Sequence, residues 1–169
     1  MCRPTFKYHP NAYELDIFIH EEGECSVCNQ LRHLKYSADF YSEEEPEYIC
    51  PWCIANGLAA EKFAGSFNDY IGVEVIPKDK LDEVLYRTPS YISWQQQVWL
   101  SHCNEPCAFL AYVGAKEILP FWDELIEDIE QQELSADFVK ANLSKDGDMI
   151  GYLFECLHCS KKRLHIDLN

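Results

Sequence analysis

The chain has 169 residues, 47% of them apolar, and a formal charge of −15 with a pI near 4.6. That length and composition suit one ordinary domain or two very small ones and exclude a disordered chain. The charge argues against nucleic-acid binding, which needs a local excess of Lys and Arg, and no apolar run approaches the roughly 20 residues of a membrane-spanning helix.

Met1 to Lys7 lacks the apolar stretch and small-residue cleavage site of a secretory signal, so the expected compartment is the cytosol. The nine cysteines then dominate the reading. All but Cys2 fall into close pairs: Cys25/Cys28, Cys50/Cys53 and Cys156/Cys159 as C-x-x-C, and Cys103/Cys107 with three residues between. Two thiolates so spaced can point at one ion, and four complete a tetrahedron. Cys2 is expected to be an unpaired spare in a loose terminus.

Glu24 to Asn29 reads as a knuckle, with Asn29 where a residue tolerant of positive φ is needed. Leu31 to Tyr36 alternates as a strand, the acidic turn Glu43-Glu44-Glu45-Pro46 follows, and Glu47-Tyr48-Ile49 is expected to return as a second strand. After Cys50-Pro51-Trp52-Cys53, Ile54 to Phe63 reads as a helix despite Gly57. Knuckle, hairpin and a helix carrying the last two ligands is a treble-clef, or zinc-ribbon-like, arrangement.

Further along, Val73 to Ile76 reads as a short strand, and Asp79 is expected to cap a helix through Leu81, Val84 and Leu85, broken at Arg87-Thr88-Pro89-Ser90. Trp94 to Leu100 reads as a helix ending at Cys103-Asn104-Glu105-Pro106-Cys107. Ala108 to Gly114 is a buried strand. Lys116 to Glu133 is expected to form one helix, with Ile118, Phe121, Trp122, Leu125 and Ile129 on its apolar face and Asp123, Glu124, Glu127, Asp128 and Glu130 elsewhere. Ser135 is placed to cap a short helix, Lys145 to Asp148 to turn, and Tyr152 to Asp167 to run strand, knuckle, strand.

Sequential joining of the four pairs needs the least loop closure. It predicts Cys25, Cys28, Cys50 and Cys53 around one Zn²⁺ and Cys103, Cys107, Cys156 and Cys159 around another. A cross-braced pairing, an iron–sulfur centre and disulfides are the alternatives, and the missing signal peptide argues against disulfides. His102 and His158 adjoin cysteines and are candidates to replace one as ligand. The expected architecture is α+β: an N-terminal zinc-binding unit over 1–70, and a helical region with a second zinc knuckle over 71–169, packed as one compact domain.

Several segments together resemble the CbrC family of bacterial proteins. They are Phe6-Lys7-Tyr8-His9-Pro10, Tyr48 to Ala55, Arg87-Thr88-Pro89-Ser90-Tyr91 with Trp94-Gln95, and Phe154 to Cys159. The resemblance spans nearly the whole chain and implies a bacterial, intracellular protein associated with colicin tolerance; it supplies no catalytic residues. Asn29 and Ser160 stand where members carry glycine after a C-x-x-C. Three functions fit: a non-enzymatic interaction protein whose acidic surface takes a basic protein partner, an enzyme with a pocket near Arg87, Trp94 and Gln95, or a thiol redox or metal sensor.

Overall fold

The computed structural model describes residues 2–69 and 75–169. Its elements run β1 (Phe18–Glu24), β2 (Leu31–Tyr36), α1 (Pro51–Ala55), α2 (Leu58–Phe63), α3 (Lys78–Arg87), β3 (Ser101–His102), β4 (Glu105–Pro106), β5 (Ala108–Val113), α4 (Ala115–Ile118), a 3₁₀ turn (Leu119–Phe121), α5 (Trp122–Gln131), α6 (Ala136–Asn142), β6 (Met149–Glu155) and β7 (Lys162–Leu168). The fold is α+β with small antiparallel sheets. Among the described residues no helix is long and apolar enough to cross a membrane.

In the N-terminal part, β1 and β2 form a hairpin whose turn is the first knuckle. The register slips between His20 and Gly23, and a Cβ on Gly23 would lie 2.7 Å from the Tyr48 ring, so the bulge seats that ring. Residues 47–49 do not form the expected strand. They nevertheless lock both sides of the hairpin, since the Ser26 N–H donates to the Tyr48 carbonyl (2.8 Å) and the Tyr36 N–H to that of Ile49 (2.9 Å). Pro51 opens α1, where its missing N–H costs nothing. The expected single helix over 54–63 is two, because Gly57 takes a left-handed φ of 80° between them.

Thr88 to Tyr91 is a buried crossing point. Asn68 Nδ2 donates to the Thr88 carbonyl (2.8 Å), His9 Nδ1 to that of Pro89 (2.9 Å), and the Ser90 N–H to the Tyr36 hydroxyl (3.1 Å). Gln97 Nε2 donates to the Tyr91 carbonyl (2.8 Å), and the Tyr91 hydroxyl donates to that of Val98 (2.8 Å). These bonds explain why Trp94 to Leu100 is irregular and not a helix. Gln97, Trp99 and Ser101 are buried in alternation, a period of two that an extended chain satisfies and a helix does not. Helix α3 starts after Pro77 and not from an Asp79 cap. Val73 and Glu74 of the expected strand, like the 70/71 boundary, lie outside the described residues, and Val75 and Ile76 are in no strand.

The largest sheet has the order β5-β6-β7. Its middle strand is buried on both faces. Ile150, Tyr152 and Phe154 join Tyr8, Tyr91, Trp99 and Phe109 in an aromatic cluster, while Met149 and Leu153 join Ile118, Leu125, Ile129 and Val139 in an aliphatic one. The expected helix over 116–133 is broken by the 3₁₀ turn at Pro120, whose ring and missing N–H are incompatible with a helix that began four residues earlier.

Helix α5 does more than bury an apolar face. Glu124, Asp128 and Gln132 recur every four residues and replace a missing neighbour strand along the open edge of β7. Glu124 accepts from the Lys162 N–H (2.9 Å), Asp128 from that of Leu164 (2.8 Å), and Gln132 Oε1 from that of Ile166 (2.8 Å). Gln132 Nε2 donates back to the Leu164 carbonyl (3.1 Å). Asp128, expected off the apolar face, is therefore buried, and both its oxygens accept from Arg163 Nε at 2.9 and 3.0 Å.

Candidate metal centres

Both knuckles are built alike. In the first, the Asn29 N–H donates to the Cys25 carbonyl (2.8 Å) and the Cys25 N–H to that of Gln30 (3.0 Å). In the second, the Ser160 N–H donates to the Cys156 carbonyl and the Cys156 N–H to that of Lys161, both at 2.9 Å. Closing this loop needs a left-handed residue, and Asn29 (φ 53°) and Ser160 (φ 59°) supply it at the two positions where the resemblance led to glycine.

Cys25 and Cys28 on the first knuckle meet Cys50 and Cys53 at the start of α1, with all four sulfurs within 4.8 Å of one another. Cys25 and Cys53 Sγ are 3.9 Å apart. A tetrahedron with Zn–S bonds of about 2.3 Å has edges of about 3.8 Å, whereas a disulfide needs about 2.05 Å. The pocket is buried, Cys28 alone being half-exposed, and Arg32 Nη2 donates toward Cys28 Sγ at 3.9 Å while its guanidinium lies over Trp52. So many thiols cannot all ionise without a cation among them. Hydrogen bonding from Cys50 and Cys53 holds the Cys25 thiol far down, and sharing a proton with that thiolate pushes Cys50 up to about 11 and Cys53 higher still. The donor set fits a soft divalent ion, which would draw off those protons.

The second group is His102 and Cys103 from the β3–β4 hairpin with Cys156 and Cys159 from the β6–β7 knuckle, again within 4.8 Å of one another. Cys103 and Cys159 Sγ are 4.0 Å apart, and His102 Nδ1 lies 3.2 and 3.4 Å from them. A mixed tetrahedron with Zn–N of about 2.05 Å has N–S edges of about 3.6 Å, so this set fits as well.

The group differs from the expected set in one member: His102 stands where Cys107 was expected. The hairpin reverses at Cys103 and Asn104, both at φ 57°, which leaves His102 and Cys103 at the tip. Cys107 is carried back into the aromatic cluster, where its carbonyl accepts the Trp99 indole N–H (2.9 Å). Cys2 is in neither group, and its carbonyl accepts the Trp52 indole N–H (2.9 Å), which ties the terminus down.

His158 is no member of the group either, and its Nε2 is 2.6 Å from Glu105 Oε2. Glu105 is a buried carboxylate that the sequence does not mark. It also takes Lys7, Lys80 Nζ (2.8 Å) and the Tyr8 hydroxyl (3.1 Å). Burial alone would raise its pKa, but the hydrogen bonds from Lys7 and Lys80 outweigh burial and hold it at about 2. The hub fastens the N-terminal segment and α3 to the second knuckle.

Trp94 and Gln95 attach to one bonded pair, Tyr152 and Asp167 (2.9 Å), while Arg87 lies against Gly57. The Arg87 stem lies 3.4 Å from where a Cβ on Gly57 would be. The Trp94 N–H reaches the Tyr152 hydroxyl (3.4 Å), and the Gln95 N–H reaches Asp167 Oδ2 (3.3 Å).

A family model described as an uncharacterised protein family, UPF0167, matches residues 3–168. The chain belongs to UPF0167. A UPF0167 protein of Mycobacterium bovis is 36% identical over 173 residues, covering 97% of this chain and 92% of that protein. A UPF0167 protein of Pseudomonas aeruginosa is 33% identical over 172 residues, covering 97% and 96%. No solved structure matches. The UPF0167 chain thus carries two four-donor clusters able to hold metal ions in a family without an assigned activity.

Proposed function

We propose that this chain is a zinc protein with two ions, working in the cytosol of a bacterium as a non-enzymatic interaction protein. The observation that carries the zinc reading is metric. The sulfur separations of 3.9 and 4.0 Å lie near a Zn–thiolate tetrahedral edge and twice as far apart as in a disulfide. Each set supplies four donors, which fills the shell and leaves no open position at which a metal-bound water would act. Unoxidised thiols suit a reducing compartment. The CbrC-like segments connect the protein with tolerance to a protein toxin, and the charge of −15 favours a basic partner.

Native mass spectrometry of the purified protein tests this. The expected result is two zinc ions per chain, with loss of one ion and of much folded structure on replacing Cys25, Cys28, Cys50 and Cys53 by serine. A different metal, or cystines in place of bound ions, overturns the zinc reading. The interaction reading is tested by a pull-down at about 150 mM salt, where screening removes weak surface attraction; failure to enrich a basic protein refutes it.

A further inference from the structure

The two clusters share a knuckle backbone but not an environment. Cys25, Cys50 and Cys53 are buried, whereas Cys103 and Cys159 are both exposed and only Cys156 of the second set is buried. The exposed pair sits on two loops 56 residues apart in sequence, with sulfurs 4.0 Å from each other. Two accessible sulfurs in van der Waals contact across a metal edge are the arrangement from which a disulfide forms most directly.

We propose that Cys103 and Cys159 form a peroxide-sensitive oxidation site whose closure to a disulfide expels the second ion. The inference rests on the zinc reading above. One of the two thiolates attacks a peroxide oxygen; the O–O bond breaks, giving a sulfenic acid and hydroxide. The other thiolate attacks the sulfenic sulfur, the S–S bond forms and a second hydroxide leaves. The sulfurs lose two electrons, the peroxide gains them, and solvent protonates both hydroxides to water. Zinc remains divalent and departs because only His102 and Cys156 are left to hold it. A thiol reductant with added zinc reverses the sequence.

The fold tolerates this exchange. The disulfide joins the same two segments as the ion, the β3–β4 turn and the β6–β7 knuckle. Those segments are also fastened by Arg163 Nη1 donating to the Ser101 carbonyl (2.6 Å) and by the His158–Glu105 contact at 2.6 Å. Closure asks the sulfurs to approach by about 2 Å, and Cys103 lies in an exposed two-residue turn able to give. The first cluster lacks such a pair, since Cys28 is its single partly exposed sulfur.

The test uses the full chain with Cys2→Ser, which removes the unrelated exposed thiol. Native mass spectrometry counts zinc before and after hydrogen peroxide, a zinc-binding dye follows release, and peptide mapping locates the cystine. The expected result is fast loss of one of two ions, a Cys103–Cys159 disulfide and unchanged far-UV circular dichroism. Cys103→Ser and Cys159→Ser each abolish that disulfide. Two ions retained after peroxide, both lost at one rate, or a cystine joining other residues overturns the inference and leaves the zinc reading standing. Fewer than two zinc ions before peroxide defeats both.

Discussion

Asp128→Ala tests the claim that helix α5 serves as the neighbour of strand β7. Asp128 and Arg163 are 5% and 16% exposed at their side chains, and their contact is two-pronged from a single nitrogen. Truncation leaves the Arg163 cation buried and orphans the Leu164 N–H in mid-strand. Breaking a buried pair by removing one partner costs about 3–5 kcal/mol, and an unsatisfied buried N–H about 1–3 kcal/mol. The two overlap because water can enter the vacated space, so about 4 kcal/mol is expected for Asp128→Ala and about half that for Asp128→Asn, which keeps an acceptor oxygen. Urea unfolding at fixed free zinc measures both. Arg163→Met alone, and with Asp128→Ala, closes a cycle whose coupling should be about 2 kcal/mol. A loss below about 0.5 kcal/mol for Asp128→Ala, or no coupling, refutes the assignment of this helix as an edge strand's partner.

Three further outcomes follow from single residues. Burial holds His9 down to about 4 despite its bond to Pro89, so the folded state favours the neutral ring; its contribution is complete above about pH 6.5 and is lost as pH falls toward 4. By pH 5 about 2 kcal/mol should be gone, visible as a pH slope in urea unfolding that His9→Gln lacks, and parallel slopes for both proteins contradict it. Native mass spectrometry should find one zinc ion in His102→Ala but two in Cys107→Ala, and the reverse pattern returns the ligand role to Cys107. Ser160→Gly relieves a left-handed backbone and should raise stability by roughly 1 kcal/mol, less whatever entropy glycine adds to the unfolded chain, while a drop in stability counts against the strained-knuckle reading.

What was legible in the sequence was local chemistry with a short period. Cys25/Cys28 and Cys156/Cys159 each announce a knuckle because two residues between cysteines leave few ways to turn, and Cys50/Cys53 marks the helix start at α1. The Ser135 cap shows for the same reason, its hydroxyl accepting the Phe138 N–H (3.3 Å). Illegible features depended on distant partners. Trp94 to Leu100 has residues that suit a helix, but Gln97 and Trp99 find buried partners only when the chain is extended, and those partners, the Tyr91 and Cys107 carbonyls, lie outside the segment, six and eight residues away. Glu124 and Asp128 on α5 and Gln132 just after it are polar, and nothing in the helix's own period says that β7 has an open edge to fill. Pro120 is the exception that the sequence does show, since a helix begun at Lys116 places it beyond the first turn.

The presence of His102 in place of Cys107 in the second cluster follows from turn geometry and not from cysteine spacing. A three-residue gap permits chelation if the intervening chain curls around the ion. Here it forms a two-residue reversal instead, and the residues that face the knuckle are the last of β3 and the first of the turn. Cys107, just before β5, packs instead with Trp99 and Phe154 and links the hairpin to the aromatic cluster. Cys103 then sits at an exposed tip, without the buried wall that encloses Cys25 and Cys50. The exposure that sets the second centre apart from the first thus follows from the direction of the chain at Cys103 and Asn104. Changes that alter this turn should shift zinc retention at the second centre while leaving the first intact.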